Sequence, residues 1–315
     1  MDGMINVFKE KGYTSHDVVA RLRGICRQKK IGHTGTLDPD AQGVLPVCLG
    51  TATKVCELLT DKDKVYEAVL LLGRETDTQD ISGIVKNETD VRNTEQEVRD
   101  AIASFTGAYS QIPPMYSALK VNGKKLCDLA RAGVEVARRP RQIYIYEIEI
   151  LWMRLPRVKL RVHCSKGTYI RTLCHDIGQK LGCGGCMEEL LRTKVSIFEL
   201  GQARTIAQIQ QLADEDRLQE ILLSTDQLFL EYPKAEVKAG FEKMLCNGNR
   251  LPGHALLCSD TGHRYRVYLD ELFYAIYMPD ETRGDYKPVK IFGREPKGKE
   301  QRAKEKTAKE RGNGA

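Results

Sequence analysis

The chain has 315 residues, of which 41% are hydrophobic and 29% are charged, and its formal net charge is +6 at pH 7. This composition is typical of a globular protein and argues against a disordered or fibrous one. No apolar stretch approaches the roughly 18 residues of a membrane-spanning helix, and residues 1–10 lack the apolar core of a signal peptide. We therefore expect a cytoplasmic protein that does not enter a membrane.

The first half of the chain alternates short strands and helices. In chain order, the patterns predict a strand at 5–8, a helix that begins after Thr14 or Ser15, a strand at 65–72, and a helix that follows the capping box of Thr94 and Glu97 and ends near Phe105. The apolar residues of the first helix recur at helical spacing, which indicates one buried face.

The second half continues in the same way. The patterns predict a turn at 121–124 with a short helix ending near Gly133, two strands at 143–153 and 158–164, and a helix at 168–181 stopped by Gly182. This is not the strict strand and helix alternation of a doubly wound parallel sheet. We therefore predict an α+β fold with a mixed, largely antiparallel sheet flanked by helices.

A change of composition near Tyr232 and Pro233 indicates a domain boundary. Beyond it the chain is turn-rich and β-leaning, whereas residues 294–315 hold eight Lys or Arg and four Glu and no large apolar residue. The predicted parts are a large first domain at 1–231, a small β domain at 232–293, and a basic disordered tail at 294–315.

Residues 31–50 surround the carboxylate of Asp38 with glycines and prolines that restrict the backbone. Three chemistries compete for this acid. A magnesium site with Asp40 is disfavoured because no further acidic cluster is evident in the sequence. A phosphate-binding loop would end in Gly-Lys-Ser/Thr, which is missing here. A single carboxylate acting as nucleophile or electrostatic partner at a sugar carbon fits best.

Positive charge collects immediately before this loop, and residues 21–30 contain no acid. The cations are Arg21, Arg23, Arg27, Lys29 and Lys30. Contacts of Lys and Arg with phosphates supply much of the affinity for nucleic acid, so the cluster favours a nucleic-acid substrate. A solvated helix face is the alternative interpretation.

The ten cysteines are scattered along the chain, and no export signal accompanies them, so reduced thiols are expected. Cys183 and Cys186 form a Cys-x-x-Cys pair. A zinc ion usually takes four ligands, and no second such pair or spaced pair of histidines completes the set. We expect thiols here and no metal site.

Several separated motifs together resemble one family. They are Gly-His-Thr-Gly-Thr-Leu-Asp-Pro at 32–39, Asp-Lys-Asp-Lys-Val-Tyr at 61–66, Gln-Ile-Pro-Pro-Met-Tyr-Ser-Ala-Leu-Lys at 111–120, and His-Cys-Ser-Lys-Gly-Thr-Tyr-Ile-Arg at 163–171. In this order they resemble the TruB-type tRNA pseudouridine-55 synthases over roughly residues 1–200. The resemblance implies the pseudouridine synthase fold with a small PUA-like C-terminal domain. It also implies isomerisation of uridine 55 in the T-loop of tRNA, without cofactor or metal.

The same resemblance implies tRNA as the partner, bound through its T-loop and acceptor stem by a monomer that needs no other protein. Asp38 would be the catalytic aspartate and Arg171 the cation that pairs with it. A site closed to water requires such a cation to hold the pKa of the acid down, so that it stays ionised. Arg171 as an exposed helix residue is the alternative.

Four further residues match family positions around the substrate. Tyr66 would stack on the flipped base and move a proton, Tyr169 and Leu190 would close the pocket, and His33 would enter the gap left in the loop stack. From the sequence alone, Tyr66 also suits a core position and His33 a hydrogen-bonded turn.

Two departures from the family pattern accompany the match. Asp40 and Gln42 stand where the family more often has Leu and Thr, and an acid beside Asp38 would raise the pKa of Asp38 unless it faces away. Two other functions are kept as alternatives: a tRNA-binding folding chaperone with secondary or no catalysis, and a related synthase acting on another RNA.

Overall fold

The computed structural model describes residues 1–121, 123–258 and 262–293. These residues form two compact units, Gly3–Leu222 and a second unit that begins at Leu223. The predicted basic tail, residues 294–315, lies outside the described residues. In the described ranges, no helix is both long enough and apolar enough to span a membrane.

The first unit contains thirteen strands and six α-helices in its described residues. The strands are β1 (Gly3–Lys9), β2 (Ile31–His33), β3 (Gln42–Leu49), β4 (Lys64–Leu72), β5 (Arg74–Thr76), β6 (Val85–Glu88), β7 (Gly107–Gln111), β8 (Lys120–Val121), β9 (Lys124–Lys125), β10 (Arg141–Arg154), β11 (Arg157–Cys164), β12 (Gly185–Val195) and β13 (Phe198–Glu199). The helices are α1 (Ser15–Ile25), α2 (Cys56–Thr60), α3 (Glu95–Ala103), α4 (Leu126–Arg131), α5 (Ile170–Leu181) and α6 (Ile206–Asp214).

One large sheet organises this unit. Its main path runs β1, β3, β12, β4, β11, β10, β7, while β2 pairs with β3 and β13 with β12. The pairing of β3 with β12 is parallel and the other strand pairs are antiparallel. The predicted mixed, largely antiparallel sheet is therefore confirmed. The central strand β12 was not predicted from the sequence.

Helix starts follow the predicted capping chemistry. Thr14 caps α1 and Thr94 caps α3, each with a complete capping box that satisfies backbone N–H groups of the first turn. The helix predicted at 168–181 begins two residues later, because Tyr169 is still extended and serves as its N-cap. This helix, α5, ends at Leu181, and Gly182 is its C-cap, as predicted.

The core of the first unit fixes α5 against the sheet. Leu173, Cys174 and Ile177 are completely buried and pack in one cluster with residues of β4, β10 and β11. Each such apolar side chain contributes about 1.5–3 kcal/mol when fully removed from water. The first turn of α5 is thereby held at a fixed place beside the sheet.

Gly43 lies where β3 meets β12, and its backbone has a φ of +109°. A Cβ there would lie 2.2 Å from the carbonyl oxygen of Arg192, which is backbone and cannot move aside alone. We expect Gly43→Ala to reduce the free energy of unfolding by about 3 kcal/mol or more, from the unfavourable φ and the overlap together. Denaturant unfolding followed by circular dichroism measures the loss.

Gly12→Ala is the matched control. Gly12 also has a positive φ, +90°, but a Cβ on it would meet no atom within 4 Å. Its alanine variant is expected to lose only the conformational part, about 1–2 kcal/mol. Equal losses for the two variants would show that the close approach at Gly43 carries no energy.

The second unit is a β domain, which confirms the predicted C-terminal β domain. Its strands are β14 (Lys234–Val237), β15 (Leu251–Pro252), β16 (Leu256–Cys258), β17 (Tyr265–Leu269), β18 (Leu272–Asp280) and β19 (Asp285–Ile291), and its one described α-helix is α7 (Glu242–Cys246). The sheet order is β15, β19, β18, β17, β14, β16. The pair of β14 with β17 is parallel.

The second unit starts before the boundary predicted at 231/232. A short 3-10 helix, Thr225–Phe229, belongs to this unit. Phe229 packs its ring against Phe273 and Phe292, at centroid distances of 6.1 and 5.8 Å. Such ring contacts tie the segment to the C-terminal strands.

Candidate active site

The loop that carries Asp38 connects β2 to β3 and is held by a buried lysine. Lys9, completely buried on β1, donates from Nζ to the carbonyl oxygens of Ala41 at 2.6 Å and Pro39 at 3.0 Å. Burial lowers the pKa of Lys9 to about 8, although the nearby Asp38 carboxylate favours its charged form. The lysine thus holds two carbonyl oxygens of the Asp38 loop.

Asp38 pairs with Arg171 as the sequence predicted. Nε of Arg171 lies 3.0 Å from Oδ2 of Asp38, and Nη2 donates to Oδ1 at 3.2 Å. Two parallel contacts of this kind fix the orientation of a carboxylate as well as its charge. The pair joins the glycine-rich loop to the first turn of α5.

Arg171 is a buried residue and not an exposed helix residue. Its side chain is 6% exposed, and it also donates to the carbonyl oxygens of Tyr116 at 2.8 Å and Thr78 at 3.2 Å. A cation in the first turn of a helix is disfavoured by the helix dipole. Here two carbonyls and two carboxylates offset that cost, the second carboxylate being Asp80 at 3.7 Å.

Asp80 is a site residue that the sequence did not reveal. Its Oδ1 accepts hydrogen bonds from Thr78 Oγ1 at 2.8 Å, from Ser82 N at 3.1 Å and from Ser82 Oγ at 2.6 Å. Those bonds leave Oδ2 directed to Arg171. No local pattern distinguishes this acid from the neighbouring Asp77, because its role depends on a helix 90 residues further along the chain.

The pKa of Asp38 corrects one expectation. We expected the cation to hold it below its ordinary value, but the structure places it above that value. Burial is the largest cause and outweighs Arg171, while Asp80 and Asp40 raise the pKa further and Lys9 lowers it. Asp40 is an exposed residue and is the weakest of these influences.

The smaller of two cavities at Asp38 has a volume of about 380 Å³. Tyr66, Tyr169 and Leu190 all line it, together with Asp38 and Arg171. The structure therefore brings together five of the six predicted site residues. Tyr66 is 8% exposed, and burial raises the pKa of its phenol.

Tyr169 is held by a residue that the sequence did not single out. Gln111, buried on β7, accepts from the backbone N–H of Tyr169 at 2.8 Å and donates to its carbonyl oxygen at 3.0 Å. The oxygen and the nitrogen of one side-chain amide thus replace a strand partner just before α5. The arrangement fixes the position from which α5, and with it Arg171, begins.

The larger cavity, about 710 Å³, also borders Asp38. Its walls carry the basic side chains of Lys11, Lys125 and Arg131. The two cavities share Asp38, Ser117, Arg171 and Leu190, among others, as common walls. Acidic side chains line the larger cavity as well, among them Asp40, Asp80 and Glu188. Asp38 therefore lies at the junction of an aromatic pocket and a larger cavity of mixed charge.

His33 is the predicted residue that is not in this group. It lines neither cavity, and its ring makes an edge contact with that of His16 at a centroid distance of 5.4 Å. His16 does line the larger cavity. Burial lowers the pKa of His33, and its Nδ1 is buried without a hydrogen-bond partner in the part of the chain that the structure describes.

Cys183 and Cys186 are buried free thiols. Burial raises the pKa of both. Among residues 1–121, 123–258 and 262–293, no group of three or more His, Cys, Asp or Glu side chains is arranged to hold a metal ion.

Comparison with known families gives two adjoining matches. Residues 23–170 match the N-terminal domain of the TruB family of pseudouridylate synthases. Residues 171–230 match the C-terminal domain of tRNA pseudouridylate synthase B. The junction between the matches falls at Arg171, so both domain models meet at the site.

Curated relatives are similar over almost the whole chain. The tRNA pseudouridine synthase B of Lachnoclostridium phytofermentans is 51% identical over 306 residues, which cover 93% of this chain and 100% of that protein. That of Alkaliphilus oremlandii is 47% identical and covers 92% of this chain and 97% of its own length.

Two solved structures have folds similar to that of this chain. One is from an H/ACA RNP bound to a substrate RNA containing 2'-deoxyuridine, with 26% identity, a TM-score of 0.68, and coverage of 92% of this chain and 85% of that chain. Another, from an archaeal box H/ACA sRNP, has 25% identity, a TM-score of 0.70, and coverage of 94% and 88%. With the family matches and the curated relatives, these findings confirm what the motifs indicated: the chain belongs to the TruB family of pseudouridylate synthases.

Proposed function

We propose that this chain isomerises uridine to pseudouridine at position 55 in the T-loop of tRNA, with Asp38 as the catalytic aspartate and without cofactor or metal. The curated relatives are named tRNA pseudouridine synthase B, which supports tRNA as the substrate. The observation that carries the roles is the pair of Asp38 with Arg171 at the junction of the two cavities. A pure RNA-binding protein has no need of an ionised acid there.

The target uridine has to leave its stack before it can reach Asp38. Flipping a base out of a folded loop costs a few kcal/mol, which contacts in the pocket must offset. We assign the base to the smaller cavity, where Tyr66 supplies a stacking face and Tyr169 and Leu190 close the sides. His33, outside that cavity, is assigned to the gap that the uridine leaves in the loop.

Asp38 then acts on the ribose. Its carboxylate either attacks C1′ of the sugar or removes the proton from C2′, and both routes break the bond between C1′ and N1 of the base. The base turns and rejoins C1′ through C5. Arg171 orients the carboxylate for either route and favours its ionised form.

The same proposal includes the partners. tRNA is the macromolecular partner, bound at its T-loop by the first unit and at its acceptor stem by the second, and the enzyme acts as a monomer in the cytoplasm without an obligate protein partner. These points rest on the family and on the exposed cations at 21–30.

Mapping of pseudouridine in an unmodified tRNA transcript tests the function. The expected product is pseudouridine at position 55, and a transcript with cytidine at that position should give none. Pseudouridine at a different position would identify a synthase for another RNA site. Tight binding with no pseudouridine would favour the folding chaperone instead.

The basic cluster at 21–30 gives a separate prediction about binding. All five cations are exposed, and none forms a salt bridge with a carboxylate in the described part of the chain. We expect the triple change of Arg21, Arg23 and Arg27 to glutamine to weaken tRNA binding. The slope of log affinity against log salt should fall by about 2, because each lost phosphate contact removes about 0.7–0.9.

The control replaces arginines that already have carboxylate partners. Arg99 pairs with Glu95, and Arg217 pairs with Glu215 and Glu220. Changing Arg99 and Arg217 to glutamine should leave the salt slope unchanged. If the triple variant also keeps the wild-type slope, the cluster is only a solvated helix face.

A further inference from the structure

Arg192 is a buried cation that lacks an acidic partner. It lies on β12, two residues after Leu190, and is 1% exposed. Its guanidinium donates to the carbonyl oxygens of Val44 at 2.8 Å, Gly35 at 3.3 Å and Thr36 at 3.5 Å. Within the described ranges, no carboxylate lies at salt-bridge distance from it. Burying a charge in this way is costly, and proteins usually pair such charges.

The position of Arg192 relates this charge to the reaction. It lines the smaller cavity with Tyr66 and Asp38, and in the sheet it stands directly opposite Tyr66. Neutral donors would be sufficient to hold these carbonyl oxygens, which belong to Gly35 and Thr36 in the loop and to Val44 on β3. The full positive charge at the wall of the base pocket therefore needs a different explanation.

The reaction supplies a negative charge in that pocket. When the bond between C1′ and N1 breaks, both electrons stay on the base, which becomes a uracil anion. Asp38 loses its charge in the same step, by forming an ester to C1′ or by taking the C2′ proton. One negative charge thus moves from the Asp38 carboxylate beside Arg171 to the base in the smaller cavity.

We infer that Arg192 stabilises the uracil anion after it leaves the ribose, and so lowers the barrier to glycosidic bond cleavage. This inference rests on the proposed function. A preorganised charge aimed at the place where charge develops in the transition state costs no reorganisation during the step. The anion is consumed when C5 bonds to C1′: Asp38 is displaced from C1′ or returns its proton to C2′, the C5 proton leaves, and N1 gains a proton.

A better leaving group tests this role. T-loop RNA carrying 5-fluorouridine at position 55 releases a more stable anion, because fluorine withdraws electrons. The single-turnover rate at saturating RNA is measured as loss of the target nucleoside, since the fluorinated base has no C5 proton to lose. We expect Arg192→Met to slow the reaction of uridine about 100-fold or more, and that of the fluorinated base at least about tenfold less. RNA affinity should be unchanged.

Lys9→Met is the matched control. Lys9 is also a fully buried cation that holds carbonyls of the Asp38 loop, but it does not line the smaller cavity. Its loss should slow both substrates by the same factor. An equal factor for Arg192→Met would reduce Arg192 to a structural residue and overturn the inference.

Arg192→Lys keeps the test decisive if the methionine variant does not fold. Lysine retains the charge and loses loop contacts, so both rates should fall while their ratio stays close to that of the wild type. A ratio shifted strongly toward the fluorinated substrate would contradict the inference. A wild-type enzyme that forms no pseudouridine at position 55 would instead refute the proposed function.

Discussion

Replacing Asp38 by asparagine is expected to lower the rate of pseudouridine formation by about 10⁴-fold or more, which is the range seen when a covalent or proton-abstracting group is removed. An amide can neither attack the sugar nor take its proton. Asparagine has nearly the same shape, so tRNA affinity should change by less than about threefold, well under 1 kcal/mol. Nucleoside analysis after single turnover and a filter-binding titration measure the two effects.

Asp40→Asn is the control for charge on the same loop. Asp40 lies two residues away and is exposed, and it influences Asp38 only weakly. We expect its asparagine variant to keep most of the activity, with the acid limb of the rate profile moved slightly to lower pH. A loss as large as that of Asp38→Asn would mean that the loop needs negative charge in general.

The pH dependence of the wild type follows from the raised pKa of Asp38. The carboxylate must be ionised to act, so activity is lost as the pH falls through this pKa. Because burial places the pKa above its ordinary value of about 3.9, the acid limb should lie at correspondingly higher pH. A limb at or below the ordinary value would contradict the assignment.

Replacing Arg171 by methionine is the second large effect. It removes both contacts to the Asp38 carboxylate and leaves Asp80 without its cation. We expect the rate to fall about 10²–10³-fold, in the range reported for the loss of one preorganised electrostatic group. Since Arg171 lowers the pKa of Asp38, its loss raises that pKa further and moves the acid limb to higher pH.

Arg171→Lys separates charge from geometry. Lysine restores a positive charge near Asp38 but cannot make two parallel contacts. The acid limb should return toward its wild-type position, while the rate recovers only in part. If the methionine variant changed the melting temperature and left the acid limb in place, Arg171 would act on stability and not on the acid.

Much of the fold could be predicted because its signals are local. The capping boxes at Thr14 and Thr94 fix where α1 and α3 begin, and each is contained within four residues. The strand β12 was missed because its residues lack a clean alternation, since the strand is irregular in its pairing with β4. Its place in the centre of the sheet is determined by its neighbours β3 and β4, which are distant from it in the sequence.

The site residues likewise fall into those that a local motif predicts and those that it does not. Asp38, Tyr66, Tyr169 and Arg171 were predicted because each stands in a motif that resembles the family, and Leu190 because the resemblance extends over roughly residues 1–200. Asp80 and Arg192 carry no such local signal, and their importance appears only when β12, α5 and the Asp38 loop are brought together. The direction of the Asp38 pKa shift depends on burial, which cannot be inferred from the spacing of residues in the sequence.

Release of hydrogen from C5 of the target base is the most direct measure of the central claim. A tRNA transcript carrying tritium at C5 of uridine 55 alone should lose one equivalent of tritium to water per molecule, because C5 becomes bonded to the ribose. The wild-type enzyme is predicted to reach that value, and Asp38→Asn to release none on the same time scale. Release by both proteins at equal rates, or by neither while binding persists, would contradict the account.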